Sequence, residues 1–171
     1  MSAWFQRKPA GDPAARPSVS IASLLTEGTI LVADGGTPKD AVLRRLVQAA
    51  AAAHGLGPAE PLLSRVLERE QGISTTLDSG LSLPHARLDG LDSVAAALAV
   101  IPSGVTDPKQ PDVKVRAMFV FFSPNKQESF SQHLHVLRGV SALFQPKLIE
   151  AICGLKTPAE ILARLTAAEA A

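Results

Sequence analysis

Cysteine occurs once in the 171 residues, tryptophan once and tyrosine not at all. The single Cys153 excludes an internal disulfide and any metal site built from several thiolates. It falls in a predicted helix over residues 147–153, where a buried, inert thiol is the expected role. Six phenylalanines and one tryptophan provide no platform for stacking bases. Charge of one sign is also missing: 17 Lys and Arg against 16 Asp and Glu leave a net +1. That balance makes no electrostatic case for nucleic acid or an anionic membrane. No apolar run approaches the ~20 residues of a membrane span, and the segment around Trp4 and Phe5 is too short for a signal peptide core. A Gly-rich phosphate loop, a Walker lysine and a metal triad are all absent, which argues against nucleotide hydrolysis and metal catalysis. The expectation is a soluble, cytoplasmic protein with no cofactor, no metal, no nucleic-acid partner and no membrane insertion.

What is present is an apolar fraction of 46% and a charged fraction of 19%, the balance of a globular chain. The length suits one domain, which at this size buries about 70% of its unfolded surface. Residues 1–17 hold three prolines and a glycine and read as a mobile tail carrying Trp4 and Phe5. Residues 18–171 read as the domain. A short helix is predicted over 20–25, capped by Ser18 or Ser20 and ended by Gly28. A first strand follows at 29–32. Thr37-Pro38 is a helix start, as N-cap and N1, for a helix that runs to His54-Gly55. Pro58 opens the next helix, with Leu62, Leu63, Val66 and Leu67 on one face and Gly72 as its stop. Strands are predicted at 74–77, 94–101 and 115–122, with a loop over 104–114. Helices at 130–144, 146–153 and 157–168 close the chain, the last with a Thr157-Pro158-Ala159-Glu160 capping box. Strands alternating with helices imply an α/β fold, a mixed sheet layered between helices.

The chain is organised around residues 80–88. Leu81, Leu83 and His85 share one parity, so an extended backbone presents all three to one face. Pro84 removes an N–H and holds Leu83 extended, so regular pairing is expected to stop there. His85 then stands at the mouth of a buried half-strand, either as a turn residue or as an imidazole held at a cleft edge. Arg65 and Arg69 are helical i,i+4 neighbours, and Arg69 lies in the last turn before this region. It is either a surface arginine suited to a helix C-terminus or a guanidinium clamp for phosphate oxygens. Thr75 is either an ordinary strand threonine or a hydroxyl donor. His133 and His135 form an HxH pair, which in a strand would face one way and suit a metal. Phe130, Leu134, Leu137, Val140 and Phe144 follow helical spacing instead, which places His133 ~40° from the apolar centre and His135 about 160° away. His133 is expected to point inward and His135 into water, with no shared ion.

Four features in order, Arg69-Glu70, Thr75, Gly80-x-x-x-Pro84-His85 and His133-Leu134-x-x-Leu137, resemble the type-2 enzyme IIA domain. This is the fructose, mannitol and nitrogen-regulatory class of the phosphoenolpyruvate-dependent phosphotransferase system. The resemblance covers roughly residues 19–168. It implies that His85 carries a phosphoryl group taken from HPr or a nitrogen-type homologue. The group then passes to a IIB component, or serves a regulatory target. It also implies that Arg69 and His133 lie beside His85, with His133 hydrogen bonding to phosphoryl oxygens, and gives Thr75 a phosphoryl-binding role. Related sequences usually carry glycine where Asp78 stands here, a carboxylate that either caps the turn or repels a phosphorylated partner. Such a chain is a phosphotransferase component with no turnover of its own.

Imidazole fits a reversible phosphocarrier: with a pKa of ~6.5 it is neutral at cell pH, and it is a good leaving group when loaded. Its second ring nitrogen needs an acceptor, and the remaining catalysis is positioning and charge stabilisation of a metaphosphate-like group.

Overall fold

A computed structural model of the chain describes residues 19–72 and 75–171. The expected tail, with Trp4 and Phe5, and Ser18 and Ser74 lie outside the described residues. Five strands form one mixed sheet: β1 (Ile30–Val32), β2 (Leu81–Ser82), β3 (His85–Leu88), β4 (Ala95–Asp107) and β5 (Gln110–Pro124). The order is β1-β4-β5-β2, with β3 paired to β5 beyond β2. β1 runs parallel to β4, β4 antiparallel to β5, and both β2 and β3 parallel to β5. Among the described residues, five α-helices cover the sheet: α1 (Lys39–His54), α2 (Ala59–Gly72), α3 (Phe130–Leu143), α4 (Pro146–Cys153) and α5 (Pro158–Ala170).

Alternation along β4 and β5 divides the core into two layers. Ala96, Leu98, Val100, Phe119 and Phe121 pack with α3, α4 and α5. Ala97, Ala99, Ile101, Met118, Val120 and Phe122 pack with α1 and α2. The result is the expected mixed sheet between helical layers. Gly55 ends α1 in the left-handed region at φ 63, as its C-cap.

Several local expectations are corrected. The predicted helix over 20–25 is a 3-10 turn, Ala22–Leu24, and Gly28 sits inside a second one, Glu27–Thr29. Ser20 does accept from Ser23 N, at 3.3 Å, but Glu169 of α5 receives the N–H groups of Ile21 and Ala22 at 2.8 and 2.6 Å. The start is thus held from the far end of the chain. Thr37 does not cap α1; the helix begins at Lys39, and the Pro38 carbonyl accepts from Ala41 and Val42. Leu67 is 37% exposed, its place on the inner face of α2 being taken by Glu70.

The strand expected over 74–77 reduces to one bridge, Thr76 to Ser82. The loop expected over 104–114 is a hairpin, with β4 and β5 extended to a turn at Pro108-Lys109. A register shift between Val100 and Val105 lets the long ladder bend there. The stretch ending in His85 is also revised. Pairing lapses only at Leu83-Pro84 and resumes with His85 as the first residue of β3. Gly80 makes the preceding turn possible at φ 91, where a Cβ would meet the Lys114 carbonyl at 3.0 Å.

Candidate functional site

The site forms at the sheet edge where β3 is the outermost strand, between the C-terminal end of α2 and the first turns of α3. Because β2 ends at Ser82, the Leu83 carbonyl is outside the strand ladder and accepts from His85 Nδ1 at 2.8 Å. A carbonyl only accepts, so the proton sits on Nδ1 and the lone pair on Nε2. Leu83 is itself fixed, its N–H donating to the Thr75 carbonyl at 3.1 Å, while the Pro84 carbonyl accepts from Phe121 N at 3.2 Å. The ring of His85 stacks on Phe121, with centroids 5.2 Å apart and planes 8° apart. His85 is 5% exposed. Burial lowers its pKa from the ordinary value, with Arg69 adding to the depression and the Leu83 carbonyl and Glu70 opposing it. The ring is neutral at neutral pH.

His133 reaches the same place from α3. Its ring centroid lies 5.4 Å from that of His85 and 5.3 Å from that of Phe121. Ser123 Oγ is 2.5 Å from His133 Nδ1, so each histidine has one nitrogen held by the protein. Burial brings the His133 pKa down to about 4, assisted by the nearby His85, Arg87 and Arg69. The expectation that His133 faces inward holds. The apolar face is rotated relative to the expected one, since Val136 and Val140 are buried while Phe130 is 49% exposed. His135 is half-buried rather than pointed into water, lining an adjoining groove with Arg138.

A cavity of about 370 Å³ joins these groups, lined by Arg69, His85, Ala86, Arg87, Phe130, His133, Leu134 and Leu137. Three of the four residues singled out in the sequence therefore share one pocket. Arg65 is not there; it faces Asp89, with Nη2 3.9 Å from the carboxylate. Thr75 does not line the cavity, and its hydroxyl donates to Glu70 Oε1.

Glu70 belongs to a polar cluster beneath the site. Lys39 Nζ lies 3.8 Å from Glu70 Oε2 and 3.2 Å from Asp107 Oδ2. Asp107 also accepts from Thr76 Oγ1 at 2.6 Å and Lys109 N at 2.9 Å, and Lys109 Nζ donates to the Glu70 carbonyl. Burial pushes the Asp107 carboxyl upward, but these donors and Lys39 overcome it and hold the pKa at about 2. The cluster ties the end of α2, which carries Arg69, to the segment that positions Leu83.

Sequence reasoning misses Arg87 and Ser123. Arg87 lines the cavity and donates from Nη2 to the carbonyls of Pro124 and Lys126 at 3.0 and 2.6 Å. Its guanidinium lies 5.5 Å from the centre of the Phe130 ring. A signal for it exists: Arg87 has the parity of His85 once the strand is continued past Pro84. Ser123 reads as part of the turn ending β5, whereas the strand extends through it.

A neutral, buried imidazole with one nitrogen fixed, a second imidazole and two guanidiniums surround one small cavity, an arrangement with the charge and donors to hold an anionic group. The chain belongs to the family "Phosphoenolpyruvate-dependent sugar phosphotransferase system, EIIA 2", whose model matches residues 23–168. It is 26% identical over 125 residues to a nitrogen regulatory protein of Pseudomonas aeruginosa, spanning 73% of this chain and 80% of that one. The fold matches the nitrogen regulatory protein IIA-Ntr of Neisseria meningitidis with TM-score 0.71 and 21% identity, over 85% of this chain and 98% of that one. It also matches the IIA of the Escherichia coli mannitol system, solved in complex with phosphorylated IIB, with TM-score 0.66 and 18% identity over 84% and 97% of the chains. No helix among the described residues is long and apolar enough to cross a membrane.

Proposed function

We propose that the chain is a phosphocarrier that accepts a phosphoryl group on His85 Nε2 from HPr or a nitrogen-type homologue. The observation that carries this reading is the His85 Nδ1 hydrogen bond to Leu83, which leaves Nε2 as the nucleophile in a cavity walled by Arg69, Arg87 and His133. In the transfer, the donor's P–N bond breaks as the P–Nε2 bond forms, and the donor departs as a neutral imidazole. The Nδ1 proton stays on His85, so the loaded ring is cationic and leaves in turn as neutral imidazole when the group moves on. Arg69 and Arg87 offset the charge on the equatorial oxygens, and His133, neutral with one nitrogen engaged by Ser123, hydrogen bonds to them. Thr75 acts on the site through Glu70 and Leu83 in this reading.

The onward step goes to a IIB component or to a regulatory target in the cytoplasm. The nitrogen regulatory relative from Pseudomonas aeruginosa favours the regulatory branch. The Escherichia coli mannitol IIA, solved with phosphorylated IIB, supports the transport alternative at the level of fold.

Incubation with phosphoenolpyruvate, enzyme I and each HPr-type protein tests the reading. One acid-labile, alkali-stable phosphate per chain is expected, absent from His85→Ala. Stoichiometric phosphate on His85→Ala overturns the assignment.

A further inference from the structure

Beside the His85 cavity lies a second, larger groove of about 840 Å³, between α3 and the connection leading into it from β5. The two share Arg87, Phe130 and Leu134 as a common wall. The outer part of the groove is formed by Ser131, His135 and Arg138. Among the described residues no carboxylate lines it, although the chain as a whole carries nearly as many acidic as basic groups. Arg138 is exposed and forms no ion pair among the described residues. Asp89 accepts from the groove's Asn125 and faces Arg65, Asp92 faces Lys126, and Glu128, exposed beside Gln127, lies outside the lining.

His85 is 5% exposed, so a macromolecular donor or acceptor reaches Nε2 only by inserting a protruding side chain. A partner seated that closely covers the shared wall at Phe130, which is 49% exposed in the free chain. Covering the wall removes water from the groove as well. A guanidinium covered without a counter-charge is strongly unfavourable, and a basic surface opposite it more so. A productive partner therefore brings a carboxylate to the groove.

On the phosphocarrier reading above, we infer that this groove selects the phosphoryl-transfer partner. It takes an acidic side chain next to the partner's reactive group, with Arg138 as the specificity-determining residue. The apolar wall supplies contact area, and the arginines exclude partners whose corresponding rim is basic.

The test compares two phosphoryl sources on wild type, Arg138→Glu and Arg45→Glu, the last a matched reversal on the exposed side of α1. Phosphoramidate, a small donor, reaches His85 without covering the groove, so its labelling of Arg138→Glu reports whether the pocket is intact. Transfer from the HPr-type protein that phosphorylates wild type most efficiently is then measured across salt concentration. Arg138→Glu is expected to lower kcat/KM by about 10- to 100-fold, mainly through KM, and to flatten or invert the salt dependence seen with wild type. Arg45→Glu is expected to behave as wild type. Equal loss in both variants, or an unchanged or faster Arg138→Glu with the same salt slope, overturns the docking site. Failure of wild type to be labelled at His85 by either source removes the phosphocarrier reading instead. The two failures are thus distinguishable.

Discussion

The carbonyl of Leu83 holds Nδ1 of His85 at 2.8 Å across a single intervening proline. Nearly everything chemical about the site follows from that contact. Pro84 interrupts the ladder between β2 and β3, which releases the Leu83 carbonyl and keeps it within reach of the imidazole two residues on. The bond fixes the tautomer, and burial then lowers the ring's pKa below its ordinary value. We expect ring ¹⁵N spectra at pH 7 to show a protonated Nδ1 and an unprotonated Nε2. Phosphoryl acceptance should be flat from pH 8 to about 6.5, because the neutral form already predominates there, and fall only at lower pH. The opposite tautomer, or a rate that declines between pH 8 and 7, would contradict the arrangement.

Arg69 and Arg65 lie one helical turn apart on α2 and have different surroundings. Arg69 lines the His85 cavity, whereas Arg65 faces Asp89 outside it. Arg69→Gln is expected to slow phosphoryl transfer by ~10–1000-fold, the range for losing one donor to transition-state charge. Arg65→Gln should stay close to wild type. Thermal midpoints of both variants should be nearly unchanged, since each side chain is exposed. Equal rate losses would show that Arg69 is the wrong arginine or that neither arginine matters to transfer.

Asp107 is 1% exposed and accepts from Thr76, Lys109 and Lys39. Asp107→Asn leaves Lys39 facing a neutral amide in a buried setting, and a loss of roughly 2–4 kcal/mol is expected from urea unfolding at pH 7. The folded pKa of about 2 lies below the ordinary 3.8. The carboxylate therefore adds stability above pH 3.8, and this is lost as pH falls through about 2. Wild type should show that loss and Asp107→Asn should not. An equally steep acid limb in both proteins would remove Asp107 from the account.

What is legible in the sequence is governed by periodicity and by strong local signals. The apolar runs at 94–101 and 115–122 mark the two central strands, and Pro146 and Thr157-Pro158 mark helix starts that fall within a residue of the structure. Parity alone places His85 on the face of Leu81 and Leu83. The failures share a physical cause, namely polar residues satisfied across long sequence separations. Residues 104–114 look like a loop because they are polar, yet antiparallel pairing carries them as a hairpin. Glu70 occupies an inner position of α2 because Thr75 and Lys39 compensate it, a pairing that no helical pattern announces. Arg87 escapes the sequence reading because Pro84 looks like the end of the strand. A proline removes one donor, and pairing resumes on the next residue.

His133 offers a second pH test, on stability. Its folded pKa of about 4 lies below the ordinary 6.5, so folding favours the neutral ring. The contribution is fully present above pH 6.5 and is lost as pH falls through about 4. It amounts to up to roughly 3 kcal/mol, since each tenfold change in proton affinity is worth ~1.4 kcal/mol. Unfolding free energies of wild type and His133→Gln, measured from pH 7 to pH 4, should converge as the solution becomes more acidic. A constant difference across that window would show that the ring binds its proton equally well in the folded and unfolded protein.

Ser123 and His133 should act as one unit. With Oγ 2.5 Å from Nδ1, Ser123 fixes the orientation of a ring that the structure brings next to His85. His133→Ala is expected to slow phosphoryl transfer at least tenfold, because a donor to the phosphoryl oxygens is gone. Ser123→Ala removes only the orienting contact, so a smaller loss of about 3- to 10-fold is expected. It should come with a ring ¹⁵N signature of mixed His133 tautomers. If the serine works through the histidine, Ser123→Ala made in the His133→Ala background adds no further loss, and the double-mutant cycle is strongly non-additive. Additive losses would show that Ser123 influences transfer by another route, through the end of β5 and the entry to α3. Loss of activity in Ser123→Ala with an unchanged His133 tautomer would have the same meaning.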